Sequence, residues 1–212
     1  MADVFSQPKL VIGEGKVDKF FFSQLFVEHN LPEFEAKNPV VGTDTSGGID
    51  KIGQYLKGLT AATTFSIVRK IVVAADNDDG AAFPRVCTEL RKANYSVPSA
   101  AKQFVQTAGK PDLAILMIPD EFPGCLESLC FMAATNKWSA LEAPFVAYFG
   151  ATPATGWTVS KQAKMKVQCM LASTCKQNPQ VALHDIWQKE PKYHIPVTDP
   201  VFQTIVAFLR TV

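Results

Sequence analysis

Two unbroken apolar runs, Ile71-Val-Val-Ala-Ala75 and Leu113-Ala-Ile-Leu-Met-Ile118, constrain this chain more than any other feature. A strand with one wet face alternates apolar and polar residues, whereas a strand covered on both faces is apolar throughout. Both runs therefore predict parallel strands sandwiched between helices. Lys9-Leu-Val-Ile12 adds a shorter buried strand, and 38–42 a weaker one before a loop over 43–48. Helices are predicted over about 17–29, with Phe20, Phe21, Leu25 and Phe26 inward, over 49–59, with apolar positions at 49, 52, 56 and 59, and over 79–93. Residues 95–106, broken by Pro98, have room for one or two edge strands.

Beyond Gly124 the pattern is helical, at about 125–135, 138–149, 158–176, 181–188 and 200–211. Strand–helix alternation followed by helices with short connections predicts an α/β fold, a doubly wound, mostly parallel sheet completed by C-terminal helices. A single unit over 1–212 is expected, its α/β core at about 8–135 and its helical completion at about 136–212. In such sheets ligands lie at the C-terminal ends of the strands.

Acids collect at those ends. Asp76 and Asp78 close the 71–75 strand, and Glu14 follows the first strand. Residues i and i+2 of an extended segment point the same way, so Asp76 and Asp78 are expected to converge on one hard, oxygen-seeking cation. Glu14 supplies the facing wall, and Asp18, one helical turn on, faces the same cation or serves as an N-terminal helix charge. Glu127 starts a helix at the same rim. Acids and amides after a strand are also ordinary turn formers and caps, and Asp79 is the expected N-cap of the next helix. In the 158–176 helix, Val159, Ala163, Val167, Met170 and Thr174 form one stripe with Lys166 at its margin and Lys164 off it, so periodicity prefers Lys166 as the inward cation.

Other chemistries lack their residues. Gly13-Glu14-Gly15 with Asp18 mimics a dinucleotide fingerprint, but a carboxylate would face the pyrophosphate and Asp18 stands where the third glycine is needed. His29, His184 and His194 have no ligand spacing, and there is no G-x-S-x-G or G-K-[ST] sequence. The net charge of +1 gives no global field to draw in nucleic acid or membrane, so any polyanion site must be local. Five cysteines without a C-x-x-C pair read as buried free thiols in a reducing compartment. With no leader pattern at the N-terminus and no apolar run near the roughly 18 residues that span a bilayer, a soluble cytoplasmic protein is expected.

Leu10-Val-Ile-Gly-Glu-Gly-Lys-Val-Asp18, Val72-Val-Ala-Ala-Asp-Asn-Asp78, Gly124-Cys-Leu-Glu127 and Lys164-Met-Lys-Val-Gln-Cys-Met-Leu-Ala172 together resemble a Toprim-type domain. The resemblance is closest to a prokaryotic family of unassigned function related to the catalytic part of overcoming-lysogenization-defect nucleases. It covers nearly the whole chain in order, although only Glu14 and the Asp-x-Asp pair are specific to the superfamily. It implies a Toprim-like fold and a nuclease using Mg2+ or Mn2+ on DNA or RNA. Glu14 would act in proton transfer or metal binding, with Asp18, Asp76, Asp78 and Glu127 as metal ligands and a lysine beside the phosphate. The family's late Lys-Ala motif favours Lys164 over Lys166. Gly13, where relatives carry a hydrophobic residue, and Ala75, where many carry another Asp, depart from the pattern. Relatives work with ATPases, so a separate ATPase or other partner protein is implied. The alternative is a catalytically weak or inactive Toprim-fold interaction module serving a partner.

Overall fold

The computed structural model describes residues 4–40, 47–78, 80–188 and 194–212. Its centre is a sheet of four parallel strands, β1 (Lys9–Ile12), β2 (Phe34–Lys37), β3 (Lys70–Asp76) and β4 (Asp112–Ile118), in the order β2-β1-β3-β4. The helices are α1 (Lys16–Glu28), α2 (Ile49–Leu59), α3 (Ala82–Lys92), α4 (Leu126–Lys137), α5 (Glu142–Gly150), α6 (Val159–Thr174) and α7 (Gln203–Thr211). Among the described residues no helix is long and apolar enough to cross a membrane.

The apolar runs conceal a period of two. Val72, Ala74, Ala114, Leu116 and Ile118 point into one core with Val11, shared with α1, α4, α6 and α7. Ile71, Val73, Ala75, Leu113, Ile115 and Met117 point into the other with Leu10 and Ile12, shared with α2 and α3. Both faces are dry, so neither set alternates with polar residues. The fold is therefore the expected doubly wound α/β arrangement.

Several local expectations are corrected. The second strand is Phe34–Lys37, not 38–42: Phe34 and Ala36 turn inward while Glu35 and Lys37 pair at 2.6 Å. Residues 38–40 are irregular, and 41–42, most of the 43–48 loop and the Asp79 cap lie outside the described residues. No strand forms over 95–106; Val105 makes one antiparallel bridge to Leu113, and Lys102 donates its backbone N–H to the Ile115 carbonyl at 2.7 Å. In α1 the buried set is Phe21, Phe22, Leu25 and Phe26, while Phe20 is only partly covered and stacks on His184. The 138–149 helix breaks into a 3-10 turn, Ser139–Leu141, and α5, and 181–188 is a 3-10 turn, Leu183–Trp187.

The connections leave neighbouring strands in opposite directions. From β1 the chain runs to α1 on one face, and from β3 to α3 on the other. The C-terminal ends of β1 and β3 thus flank a topological switch point, where divergent loops open a crevice.

Candidate metal centre

Glu14 follows β1 and Asp76 ends β3, so the switch point is lined with acid from both sides. The Asp76 backbone N–H donates to Glu14 Oε1 at 2.9 Å, anchoring the Glu14 carboxylate across the strands. The Gly48 N–H donates to the Glu14 carbonyl at 2.8 Å. Gly47, at φ +71°, lies so close that a Cβ there would come within 2.1 Å of that oxygen.

Asp18 lies in the first turn of α1, and its Oδ2 accepts the Gly15 N–H at 2.8 Å. Both sequence readings of Asp18 are thus present in one side chain, a helix-terminal acid that also faces the crevice. It reaches that position because of Gly13. In line with Val11, position 13 faces α1, and a Cβ there would lie 2.2 Å from Asp18 Cβ. The absence of a side chain at position 13 makes room for the acid.

Asp76 Oδ1 accepts the N–H of Leu126, the first residue of α4, at 3.0 Å, and Oδ2 lies 4.0 Å from Lys164 Nζ. Glu127 follows Leu126 in the same helical turn. Glu14, Asp18, Asp76, Glu127 and Lys164 all line one cavity of about 240 Å³. Asp76, Cys125 and Glu127 each offer one ligand atom, all within 4.8 Å of one another.

Burial and mutual repulsion dominate the electrostatics. Burial pushes the Glu14 carboxyl above its ordinary value, opposed by the Asp76 N–H and reinforced by Asp78. Burial, then the fields of Glu14 and Glu127, raise Asp18 to about 7 against the Gly15 hydrogen bond. Burial, then Asp18, Glu14 and Glu127, raise Asp76 to about 9. For Lys164, burial alone would lower the pKa, but the fields of Glu127 and Asp76 outweigh it and hold the ammonium form.

Two expected residues do not line the cavity. β3 stops at Asp76, Asn77 turns into an antiparallel bridge with Gly124, and Asp78 is exposed. The same-side rule for i and i+2 therefore does not carry through Asp78. Its Oδ1 accepts instead from the hydroxyl of Ser160 on α6. Lys166 is not brought to the cavity; its Nζ lies 5.7 Å from the ring centroids of Phe131 and Phe149. The buried stripe of α6 is Ser160, Ala163, Val167, Met170 and Leu171, with Val159 exposed. That rotation of the helix turns Lys164 toward the acids.

Sequence reasoning missed three residues. Ser160 stands four positions before Lys164, hence on the same helical face. Asn77 donates from Nδ2 to the carbonyls of Pro119 and Phe122 at 3.1 and 3.3 Å, holding the loop that leads into α4. Cys125, the fully buried N-cap of α4, stands two residues before Glu127. Burial, then the charges of Glu127 and Asp76, push its thiol up to about 12.

A family profile described as "Protein of unknown function (DUF3226)" matches residues 8–212. No curated protein and no solved structure matches the chain at a significant level.

Proposed function

We propose that this chain, which belongs to the DUF3226 family of proteins of unknown function, is a divalent-metal-dependent phosphodiesterase acting on DNA or RNA. One observation carries the reading: four carboxylates from four separate stretches of chain share a cavity with only two lysines, Lys16 and Lys164, at the sheet's switch point. Buried carboxylates with little cationic compensation repel one another. Hard oxygen donors in that number suit Mg2+ or Mn2+. The resemblance of Glu14, Asp76, Asp78 and Glu127 to the Toprim pattern supports the same assignment.

Asp76 and Glu127, with Glu14 and Asp18 opposite, are the residues that would hold metal, and Asp78 stands at the rim. A bound divalent ion supplies Lewis-acid polarisation of a phosphoryl oxygen and lowers the pKa of coordinated water. The Lys164 ammonium neutralises charge that builds on the phosphate. Glu14, fixed by the Asp76 N–H and raised above its ordinary value by burial, is the proton-transfer group.

The test is incubation of the purified protein with supercoiled DNA, single-stranded DNA and structured RNA in Mn2+. Cleavage by wild type that is lost in Asp76→Ala is the expected result. No cleavage, or equal cleavage by both proteins, would sink the proposal.

A second reading, an interaction module serving a partner protein, is favoured by the exposed Val146 and Tyr148 of α5 and by Trp157 and Val159 further along the chain, at 64, 55, 48 and 54% exposure. Thermal melts separate the two. A module without a metal site melts alike with and without Mg2+ or Mn2+, whereas the phosphodiesterase gains stability from metal.

A further inference from the structure

Cys125 is absent from the hard-oxygen site just proposed, yet it is placed to belong to it. It is the N-cap of α4, fully buried, and its ligand atom lies within 4.8 Å of those of Asp76 and Glu127. Its thiol makes long contacts to the Ser160 carbonyl at 3.9 Å and the Ser128 hydroxyl at 3.8 Å, and it also hydrogen-bonds to the Glu127 side chain. At tetrahedral angles, metal–sulfur bonds of about 2.3 Å and metal–oxygen bonds of about 2.0–2.2 Å set two donors of one ion roughly 3.5 Å apart. Binding would therefore draw the three atoms together by roughly 1 Å.

We infer that Cys125 is a thiolate ligand to an ion held by Asp76 and Glu127, and that this position therefore selects a thiophilic divalent ion of the zinc, cobalt or cadmium type over Mg2+. The inference rests on the reading of these acids as a metal site. A soft sulfur donor strengthens binding of late transition ions and adds little for Mg2+, which takes oxygen ligands and keeps its waters. On binding, the S–H bond breaks, the sulfur–metal bond forms and the proton passes to solvent. Glu14, Asp18 and Lys164 remain at the cavity to receive substrate or a second, harder ion.

The test is titration of the full chain with Co2+, followed by absorption. Wild type is expected to develop an intense near-ultraviolet sulfur-to-cobalt charge-transfer band that saturates at one ion per chain. The band should disappear in Cys125→Ser and survive in Cys87→Ser and Cys175→Ser, which change thiols outside the cluster. Serine is itself a good N-cap, so the Cys125 variant is expected to fold. Cadmium-113 NMR of wild type needs no variant and should report one sulfur in an otherwise oxygen environment. By competition, Cys125→Ser should weaken Cd2+ binding about tenfold or more while leaving Mg2+ binding unchanged. Asp76-dependent Co2+ binding without the band, or a band that survives Cys125→Ser, overturns the thiolate and leaves the carboxylate site standing. Absence of binding by Co2+, Cd2+, Mn2+ and Mg2+ alike overturns both.

Discussion

The backbone N–H of Asp76 is bonded to the carboxylate of Glu14 at 2.9 Å, so two acids 62 positions apart are held across neighbouring parallel strands. One end of Asp76 fixes its neighbour, while its side chain caps α4 and faces Lys164. This arrangement keeps repelling groups together, and its consequences are measurable.

Metal-free protein should lose stability as pH rises. Asp76 and Asp18 are raised from 3.8 to about 9 and about 7, and Glu14 is raised from 4.5. Above about pH 4 the unfolded chain has released these protons while the folded chain keeps them. Folded protein therefore binds more protons, and stability falls from there through about 7 and toward about 9. Even one unit of surviving shift is worth ~1.4 kcal/mol, or about 3–6 °C of Tm at this chain length. Melts in chelator should show a higher Tm at pH 5.5 than at pH 8.5. A flat or rising profile contradicts the arrangement.

Binding of a divalent ion should release protons, because the ion favours the charged carboxylates. Calorimetry of Mn2+ binding near pH 6, repeated in buffers of different ionisation enthalpy, is expected to show that release. It should shrink strongly in Asp76→Asn and less in Glu127→Gln. Identical heats across buffers would count against the placement.

The two lysines should separate cleanly. Lys164→Ala is expected to reduce cleavage on the order of 100-fold, as loss of a charge-stabilising group does, with little change in Tm. Lys166→Ala should cost about 0.5–1 kcal/mol of stability through its contact with Phe131 and Phe149, leaving turnover near wild type. Reversed results would return the catalytic role to Lys166.

Gly13→Ala should damage site and fold together. Its Cβ would lie 2.2 Å from Asp18 Cβ, and relief of that overlap by backbone shift costs about 1–3 kcal/mol. A lower Tm and weaker Mn2+ binding are both expected. Wild-type values for either would show that Asp18 has freedom the packing denies.

Much of this was legible in the sequence, for identifiable reasons. β3 and β4 announce themselves because both of their faces are buried, and α2 because its stripe at 49, 52, 56 and 59 is fully used. β2 is obscure because Phe-Glu-Ala-Lys is four residues at a sheet edge, too short for alternation to stand out. Glu14 and Asp76 could be placed because strand ends face the crevice; Asp78 stands outside the cavity lining because the ladder stops two residues before it. On α6 the apolar stripe misled, since Val159 is exposed and the polar Ser160 is buried against Asp78. Cys125 looked like an inert core thiol because burial and proximity to acid leave the same mark in a sequence.

The cavity residues run from position 14 to position 164 and come from β1's exit turn, α1, β3, α4 and α6. Its four acids are spread from position 14 to position 127. Contacts of such long range form only after the intervening loops have closed, and a ribosome-bound chain ending before α6 would hold the acids without Lys164. Ions that prefer the finished cavity would act as a late seal on the native state, adding stability once docking of α6 is complete. A site assembled in that order stays incomplete while the chain is being made.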